Sequence, residues 1–235
     1  MVVLDRQRFA ANQAGPYSHP TRARFLRVVM LGAVMALGLQ LSGQAFAQVS
    51  ETACGSLHNA YGPFDYRTDR SGLTIVEDHH FTPRVEALIG GQEGYIGGDL
   101  DYTLRAFPNH HRALLALMRF EEKEKSSQPV HLPRPVECYF ERAIRFRRGD
   151  PITRMLYATY LGKHDRIADA KNQLAVAEKE AGDNAFTHYN IGMVYVDLKD
   201  YDRALVQAHQ AYKLGFKQPG LRDRLKKAGK WREAG

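Results

Sequence analysis

The chain has 235 residues, a formal net charge of +7 and 44% hydrophobic residues, which suits one domain or a short array of repeats. Its 20 glycines and 10 prolines exclude a collagen-like chain and long low-complexity disorder. Its 2 cysteines exclude a disulfide-rich scaffold, and they lack the CxxC spacing of a structural zinc site.

Residues 1–47 have the pattern of a secretory signal peptide. Three arginines within residues 22–27 precede an apolar run, Val28–Leu41, and Ala45-Phe46-Ala47 has the form of a cleavage site. The apolar run is shorter than the roughly 20 residues of a membrane-spanning helix, which makes a retained anchor the weaker alternative. We therefore expect cleavage after Ala47, export to a bacterial periplasm, and membrane contact only through this transient peptide.

Removal of residues 1–47 changes the charge of the chain. Five of the 33 basic and one of the 26 acidic residues lie in that segment, which leaves 28 against 25, a net charge of about +3. A chain this weakly basic gives no reason to expect nucleic acid as a partner. Cys54 and Cys138 both remain. In an oxidising compartment they can form one disulfide, and two buried free thiols are the alternative that their spacing leaves open.

Residues 48–107 are expected to form an irregular segment that lies against the rest of the chain. Thr82-Pro83 predicts the start of a short helix over residues 83–89, which stops at a Gly-Gly pair. A second Gly-Gly pair precedes another predicted helix, Leu100–Phe107. These glycines lack the Gly-Lys-Ser/Thr of a phosphate loop, so they do not indicate a nucleotide cofactor.

Two pairs of adjacent histidines are the strongest candidates for chemistry. His79-His80 and His110-His111 occur near several carboxylates, and imidazoles with carboxylates bind transition metals where they converge. Adjacent residues of a helix point about 100° apart, so only one histidine of each pair can join a given site. The alternative is that His110 and His111 cap a helix or face solvent. The carboxylates considered are Glu77, Asp78, Asp99 and Asp101.

The sequence lacks two motifs that are typical of hydrolytic enzymes. It contains neither the HExxH zinc motif nor a Gly-x-Ser-x-Gly nucleophile elbow. We therefore expect a protein that is not an enzyme and has no cofactor. A metal-binding protein or metal-dependent enzyme that uses the paired histidines stays as a third hypothesis.

The second half of the chain repeats every 34 residues. When Pro151–Asn184 is aligned with Ala185–Gln218, small and apolar residues recur in the same columns. Positions 4, 7, 8 and 11 form one stripe of a first helix, and positions 20, 24 and 27 form one stripe of a second. Asp150 and Asp200 precede two of these helices and are predicted to cap them.

The stretches Tyr189–Tyr195 and Leu198–Leu205, followed by Ala208 and Ala211, resemble a tetratricopeptide repeat. A degenerate copy precedes the two clear ones, with helices over His111–Lys123 and Val136–Phe146, so that the resemblance covers residues 108–218. It implies an all-α solenoid of about three helix–turn–helix pairs, and the tail Pro219–Trp231 adds a capping helix. The expected organisation is a signal peptide (1–47), the irregular segment (48–107) and the repeat domain (108–235).

The resemblance also implies where a partner binds. Positions 2, 5, 9, 12 and 13 of each first helix line the concave groove of this family, and apolar and aromatic residues there suit capture of a peptide or protein segment. The Lys/Asn pattern that binds a terminal carboxylate in some members is missing. The alternatives are a groove filled by the chain itself and a homo-oligomer. The expected groove residues are Arg112, Leu115, Arg119, Glu122 and Lys123; Ile152, Met155, Thr159, Gly162 and Lys163; and Phe186, Tyr189, Met193, Val196 and Asp197.

Overall fold

The computed structural model describes residues 53–92 and 94–234, and every regular element in these ranges is a helix. The predicted all-α class is confirmed. The predicted signal peptide, residues 1–47, lies outside the described residues. The helices are α1 Leu73–His80, α2 Pro83–Glu86, α3 Ile96–Ala106, α4 His111–Glu124, α5 Val136–Phe146, α6 Pro151–Lys163, α7 Ile167–Glu180, α8 Ala185–Asp197, α9 Tyr201–Lys213 and α10 Gly220–Lys227.

The helices of the repeat region pack in consecutive pairs. α6 lies against α7, and α8 lies against α9, in the two most extensive helix contacts of the described chain. Each pair is joined by a connection of three residues, which forces the two helices to run antiparallel. The first helices α4, α6 and α8 also contact one another in chain order, and α10 packs against both α8 and α9.

Side-chain caps start the repeat helices as the sequence predicts. The Asp150 carboxylate accepts hydrogen bonds from the Ile152 and Thr153 amides at the start of α6. Asp200 accepts one from the Arg203 amide at the start of α9. These oxygens satisfy amide donors that have no partner within the first turn of a helix.

Small side chains let the paired helices approach closely. Ala158, Ala170 and Ala204 are completely buried. Gly192 lies so close to the capping helix that a Cβ atom placed on it would come within 2.5 Å of the Leu221 side chain. Since Leu221 and Leu225 of α10 are fully buried, this helix covers the end of the apolar core, as the sequence predicts for Pro219–Trp231.

The N-terminal segment is more helical than the sequence suggests. α1 was not predicted, and α2 ends earlier than the predicted helix over residues 83–89, because Leu88 adopts a left-handed conformation with φ 57°. α3 begins at Ile96, four residues before the predicted start at Leu100. The second Gly-Gly pair, Gly97-Gly98, lies inside this helix. A Cβ atom on Gly97 would come within 2.5 Å of the Val130 carbonyl oxygen. The glycine therefore permits a close approach and does not interrupt the helix.

The start of this segment is fixed to the helices by covalent and hydrogen bonds. A disulfide joins Cys54 to Cys138 of α5. The Phe64 amide donates to the Ala106 carbonyl at 2.8 Å, and the Tyr66 amide donates to the Asn109 side chain at 3.0 Å. Residues 54–66 therefore lie against the ends of α3 and the side of α5.

Candidate protein-binding site

The expected groove residues of α4 are engaged by the N-terminal helices. Arg112 donates to both Glu77 of α1 (3.0 Å) and Glu86 of α2. Arg119 donates to the Glu86 carbonyl at 3.1 Å, and Lys123 donates to the Leu88 carbonyl at 2.8 Å. The hydrogen bond and charge of Glu86 raise the pKa of the Arg112 guanidinium. In this part of the groove, the chain's own α1–α2 segment takes the place where a partner was expected.

The expected groove residues of α8 are covered by the connection to α10. The Phe216 ring lies 4.5 Å from the Tyr189 ring and 6.1 Å from the Phe186 ring, measured between centroids. Tyr189, Met193 and Val196 are buried, and Phe186 is half-buried. These apolar side chains therefore form part of the core, and they do not offer an open surface.

Four more of the expected groove residues are buried or half-buried. Ile152 and Met155 of α6 lie in the core. Thr159 is half-buried and donates its hydroxyl to the Met155 carbonyl at 3.0 Å, and Leu115 is half-buried at the edge of the core. The expected groove residues that are exposed are all polar, namely Arg119, Glu122, Lys123, Lys163 and Asp197.

An open pocket lies between the C-terminal ends of α4 and α6. Its volume is about 320 Å³. It brings together Glu122 and Lys163, which the resemblance places at groove positions of two successive first helices, and these two side chains form an ion pair. The pocket is lined by Met118, Glu121, Glu122, Lys125, Ser126, Ser127, Tyr160, Lys163 and His164.

A buried carboxylate dominates the chemistry of this pocket. Glu121 is 7% exposed, and its Oε1 lies 3.2 Å from Nε2 of His164. Burial raises the pKa of the Glu121 carboxyl, which the charge of His164 only partly opposes. Its second oxygen, Oε2, has no hydrogen-bond partner, which is a costly state for a buried polar atom.

The pocket therefore combines an apolar floor with polar groups of both signs. Met118 and Tyr160 supply the apolar surface, while Lys125, Lys163 and the two serine hydroxyls supply hydrogen-bond donors. Such a lining suits a short segment of polypeptide that inserts one side chain and hydrogen-bonds through its own polar groups. Sequence reasoning missed Glu121, although a signal existed: it stands at position 11, where the other two copies have Leu161 and Tyr195.

The paired histidines do not converge on one another. His80 contacts Asp99 at 3.0 Å, His110 contacts Glu77 at 3.1 Å, and His111 contacts Asp150 at 2.9 Å. Within residues 53–92 and 94–234, no group of three or more His, Cys, Asp or Glu side chains is arranged to hold a metal ion. His110 caps α4 through its Nδ1, which accepts from the Ala113 amide. The expectation that these histidines cap a helix is therefore confirmed for His110, whereas neither faces solvent, because both are buried.

A buried polar network joins the N-terminal segment to α6. Asn109 donates to Asp65 at 2.7 Å and to Asp150 at 2.9 Å, and Asp150 also contacts His111. Burial by itself would raise the pKa of the Asp150 carboxyl, but His111, Asn109 and Arg67 lower it to about 2. These side chains are structural, since they bind one another within the chain, and Asp65, Asn109, His111 and Asp150 are buried.

Arg142 performs a similar structural role beside the disulfide. Its side chain is 2% exposed and donates to three consecutive carbonyl groups, those of residues 54–56. Burial and the nearby Arg134 and Arg145 lower the pKa of the Arg142 guanidinium to about 10. The disulfide and this arginine therefore fix the same short stretch of chain, the disulfide at Cys54 and the arginine at residues 54–56.

No protein-family model, curated protein or solved structure matches the chain. In the described part of the chain, no helix has the length and apolar character needed to cross a membrane.

Proposed function

We propose that this protein is an interaction module of the bacterial periplasm, without catalytic activity, that binds a protein or peptide segment at the pocket between α4 and α6. The proposal rests on one feature of the pocket: it is lined by Glu121, a buried carboxylate whose Oε2 has no hydrogen-bond partner. Glu122 and Lys163, which the resemblance assigns to groove positions of two successive first helices, line the same pocket. A bound segment that donates an N–H or O–H to Glu121 would satisfy that oxygen.

The pocket is a better binding place than the rest of the expected groove. Elsewhere the groove positions are already engaged by α1 and α2 or covered by Phe216. Tetratricopeptide repeats, which the sequence resembles, present such surfaces on their first helices, and this agrees with a role as an adaptor or scaffold.

A peptide library tests the proposal directly. The purified protein is panned against a random peptide library on phage, and the Kd of each enriched peptide is measured by fluorescence anisotropy. Ser127 is exposed and its side chain makes no hydrogen bond, so Ser127→Trp fills the pocket without breaking a contact. We expect this variant to weaken peptide binding at least ten-fold.

A second tryptophan supplies the matched control. Asn172 is exposed on α7, which does not line the pocket, and Asn172→Trp is expected to leave Kd within about two-fold of the wild type. If both variants weaken peptide binding equally, or if neither weakens it, the peptide does not bind at this pocket.

The contacts of α4 favour a second candidate, a structural module whose groove is filled by its own chain. Arg112, Arg119 and Lys123 all bind the α1–α2 segment. If the groove serves only to hold the α1–α2 segment, the double variant Glu77→Gln with Glu86→Gln has a lower free energy of unfolding and binds no peptide. If the segment instead shields a binding surface, the same variant binds the enriched peptides more tightly. Size-exclusion chromatography with light scattering tests the self-association that this candidate also allows.

A further inference from the structure

Basic residues concentrate at the C-terminal end of the chain. Residues 213–235 contain eight Lys or Arg against two Asp or Glu, a net charge of +6. Residues 48–212 contain 20 basic against 23 acidic residues, a net charge of −3. The weak overall charge of the processed chain therefore hides a strong asymmetry, and such asymmetry is typical of a surface that meets a polyanion.

Five lysines of this end are free to bind a ligand. They belong to the last turn of α9, to the connection that follows it, and to α10 and its continuation. All five are exposed, and no carboxylate of the described chain lies within ion-pair distance of any of them. We call this set the lysine surface: Lys213, Lys217, Lys226, Lys227 and Lys230.

The arginines nearby are already engaged. Arg224 pairs with Asp197 at 2.6 Å, and Arg232 lies 3.5 Å from Asp202. Arg222 lies over the rings of Tyr212 and Trp231, at 4.8 and 5.2 Å from their centroids. The lysines thus differ from these arginines in having no partner among residues 53–92 and 94–234.

The packing of α10 decides which way part of this surface faces. Leu221 and Leu225 are fully buried against the repeat helices. With 3.6 residues per turn, Lys226 and Lys227 lie on the opposite side of the helix, together with its acidic residue Asp223. The outward side of α10 therefore carries a net positive charge even though it includes Asp223.

We propose that the lysine surface binds the anionic headgroups of a phospholipid bilayer. Lysines form compact, strongly hydrated charges that suit a diffuse layer of phosphate groups, whereas base recognition in nucleic acids relies on arginine forks and free aromatic rings. Trp231 is not free for stacking on a base, because Arg222 covers its face and His209 and Tyr212 pack against it edge-on.

This contact goes beyond the transient membrane contact expected for the signal peptide, and it uses a surface separate from the peptide-binding pocket. It requires no inserted apolar group, so it is reversible and weakens with salt as surface charges are screened. Each lysine close to an anionic bilayer strengthens binding about five-fold.

Vesicle sedimentation tests the proposal. The purified protein is mixed with vesicles of phosphatidylcholine alone, or of phosphatidylcholine with a quarter phosphatidylglycerol, at low and high salt. We expect binding that depends on phosphatidylglycerol and is lost at high salt. Lys226→Glu with Lys227→Glu is expected to lower the partition coefficient at least about 30-fold. The apolar run Val28–Leu41 is common to all variants, and any binding that it causes is measured with the neutral vesicles.

A charge-matched pair of substitutions provides the control. Lys179 and Lys199 are exposed, have no ion-pair partner in the described chain and lie outside the lysine surface. Lys179→Glu with Lys199→Glu changes the net charge equally, yet it is expected to change binding less than about two-fold. Circular dichroism and thermal unfolding verify that both double variants are folded.

Three outcomes would overturn the proposal. The first is equal binding to neutral and anionic vesicles, and the second is equal loss of binding in the two double variants. The third is that a labelled DNA duplex binds more tightly than the anionic vesicles and depends on the same lysines, which would make nucleic acid the ligand.

Discussion

Replacement of Asp150 by alanine is the strongest test of how the N-terminal segment and the repeats are held together. The carboxylate is completely buried. It caps α6 through the Ile152 and Thr153 amides, and it also contacts His111 and Asn109. The substitution therefore removes a helix cap and leaves buried polar groups without a partner.

The expected loss of stability follows from these contacts. Removal of a side-chain cap costs about 1 kcal/mol. Each buried donor that loses its hydrogen bond costs about 1–3 kcal/mol, and here the donors are Nε2 of His111 and one N–H of Asn109. We expect Asp150→Ala to lower the free energy of unfolding by about 4 kcal/mol.

The cap of α9 supplies the comparison. Asp200 also caps a helix, but it is 20% exposed and contacts only Arg203 and Lys171. Asp200→Ala is therefore expected to cost about 1 kcal/mol, the value of a cap alone. Urea denaturation followed by circular dichroism measures both variants.

The pH dependence gives an independent check on the same carboxylate. The pKa of Asp150 is lowered to about 2 from its ordinary value of 3.8, so the unfolded chain takes up this proton at a higher pH than the folded chain. Its contribution, about 2.5 kcal/mol, is present above pH 3.8 and is lost as the pH falls toward 2. Asp150→Ala should flatten this part of the stability profile. A loss no larger than that of Asp200→Ala, with an unchanged acid profile, would refute the role of the network.

Three further predictions concern other parts of the structure. Cys54→Ser with Cys138→Ser opens a covalent loop with a sequence separation of 84. We expect the free energy of unfolding, measured by denaturation, to fall by up to about 4.5 kcal/mol. A reducing agent should leave the stability of this double variant unchanged. Burial lowers the pKa of His110, so stability should decline as the pH falls below about 6.5, and His110→Asn, which keeps a capping oxygen, should reduce that decline. In Gly192→Ala the added methyl group would clash with the Leu221 side chain, and we expect the free energy of unfolding to fall by about 1 kcal/mol and the melting temperature to drop. Gly98→Ala in α3 is the control, because a Cβ atom there has no neighbour within 4 Å, and it should not lower the melting temperature.

Local patterns predicted the repeat helices well, because their signals are short in range. Val136–Phe146 was predicted with the observed bounds, and α4 extends one residue beyond the predicted end at Lys123. An apolar stripe and a cap are properties of neighbouring residues, and the chain expresses them wherever the stripe has something to pack against.

The N-terminal helices were harder to predict, because glycine has two uses. A Gly-Gly pair usually weakens a helix, but in α3 the missing Cβ atom on Gly97 admits the Val130 carbonyl. Which of the two applies depends on a residue more than 30 positions away, and no local pattern reports its position.

The candidate binding site also combines local signals with long-range ones. The family pattern indicated Glu122 and Lys163, but it did not indicate that Tyr189 and Met193 would be buried or that Arg112 would bind α1 and α2. Exposure depends on which segment covers a helix, and that is decided by long-range packing.

The amino-acid order alone determined that the chain is all-α, where the repeat helices begin, and that Asp150 and Asp200 cap them, since each of these depends on contacts within a few residues. Only the tertiary structure decided that Cys54 pairs with Cys138, that the N-terminal helices bind Arg112, an expected groove residue, and that an open pocket remains beside Glu121. The physical reason is that covering a surface and pairing a buried charge are interactions between distant parts of the chain, whose free energy depends on the whole packed arrangement.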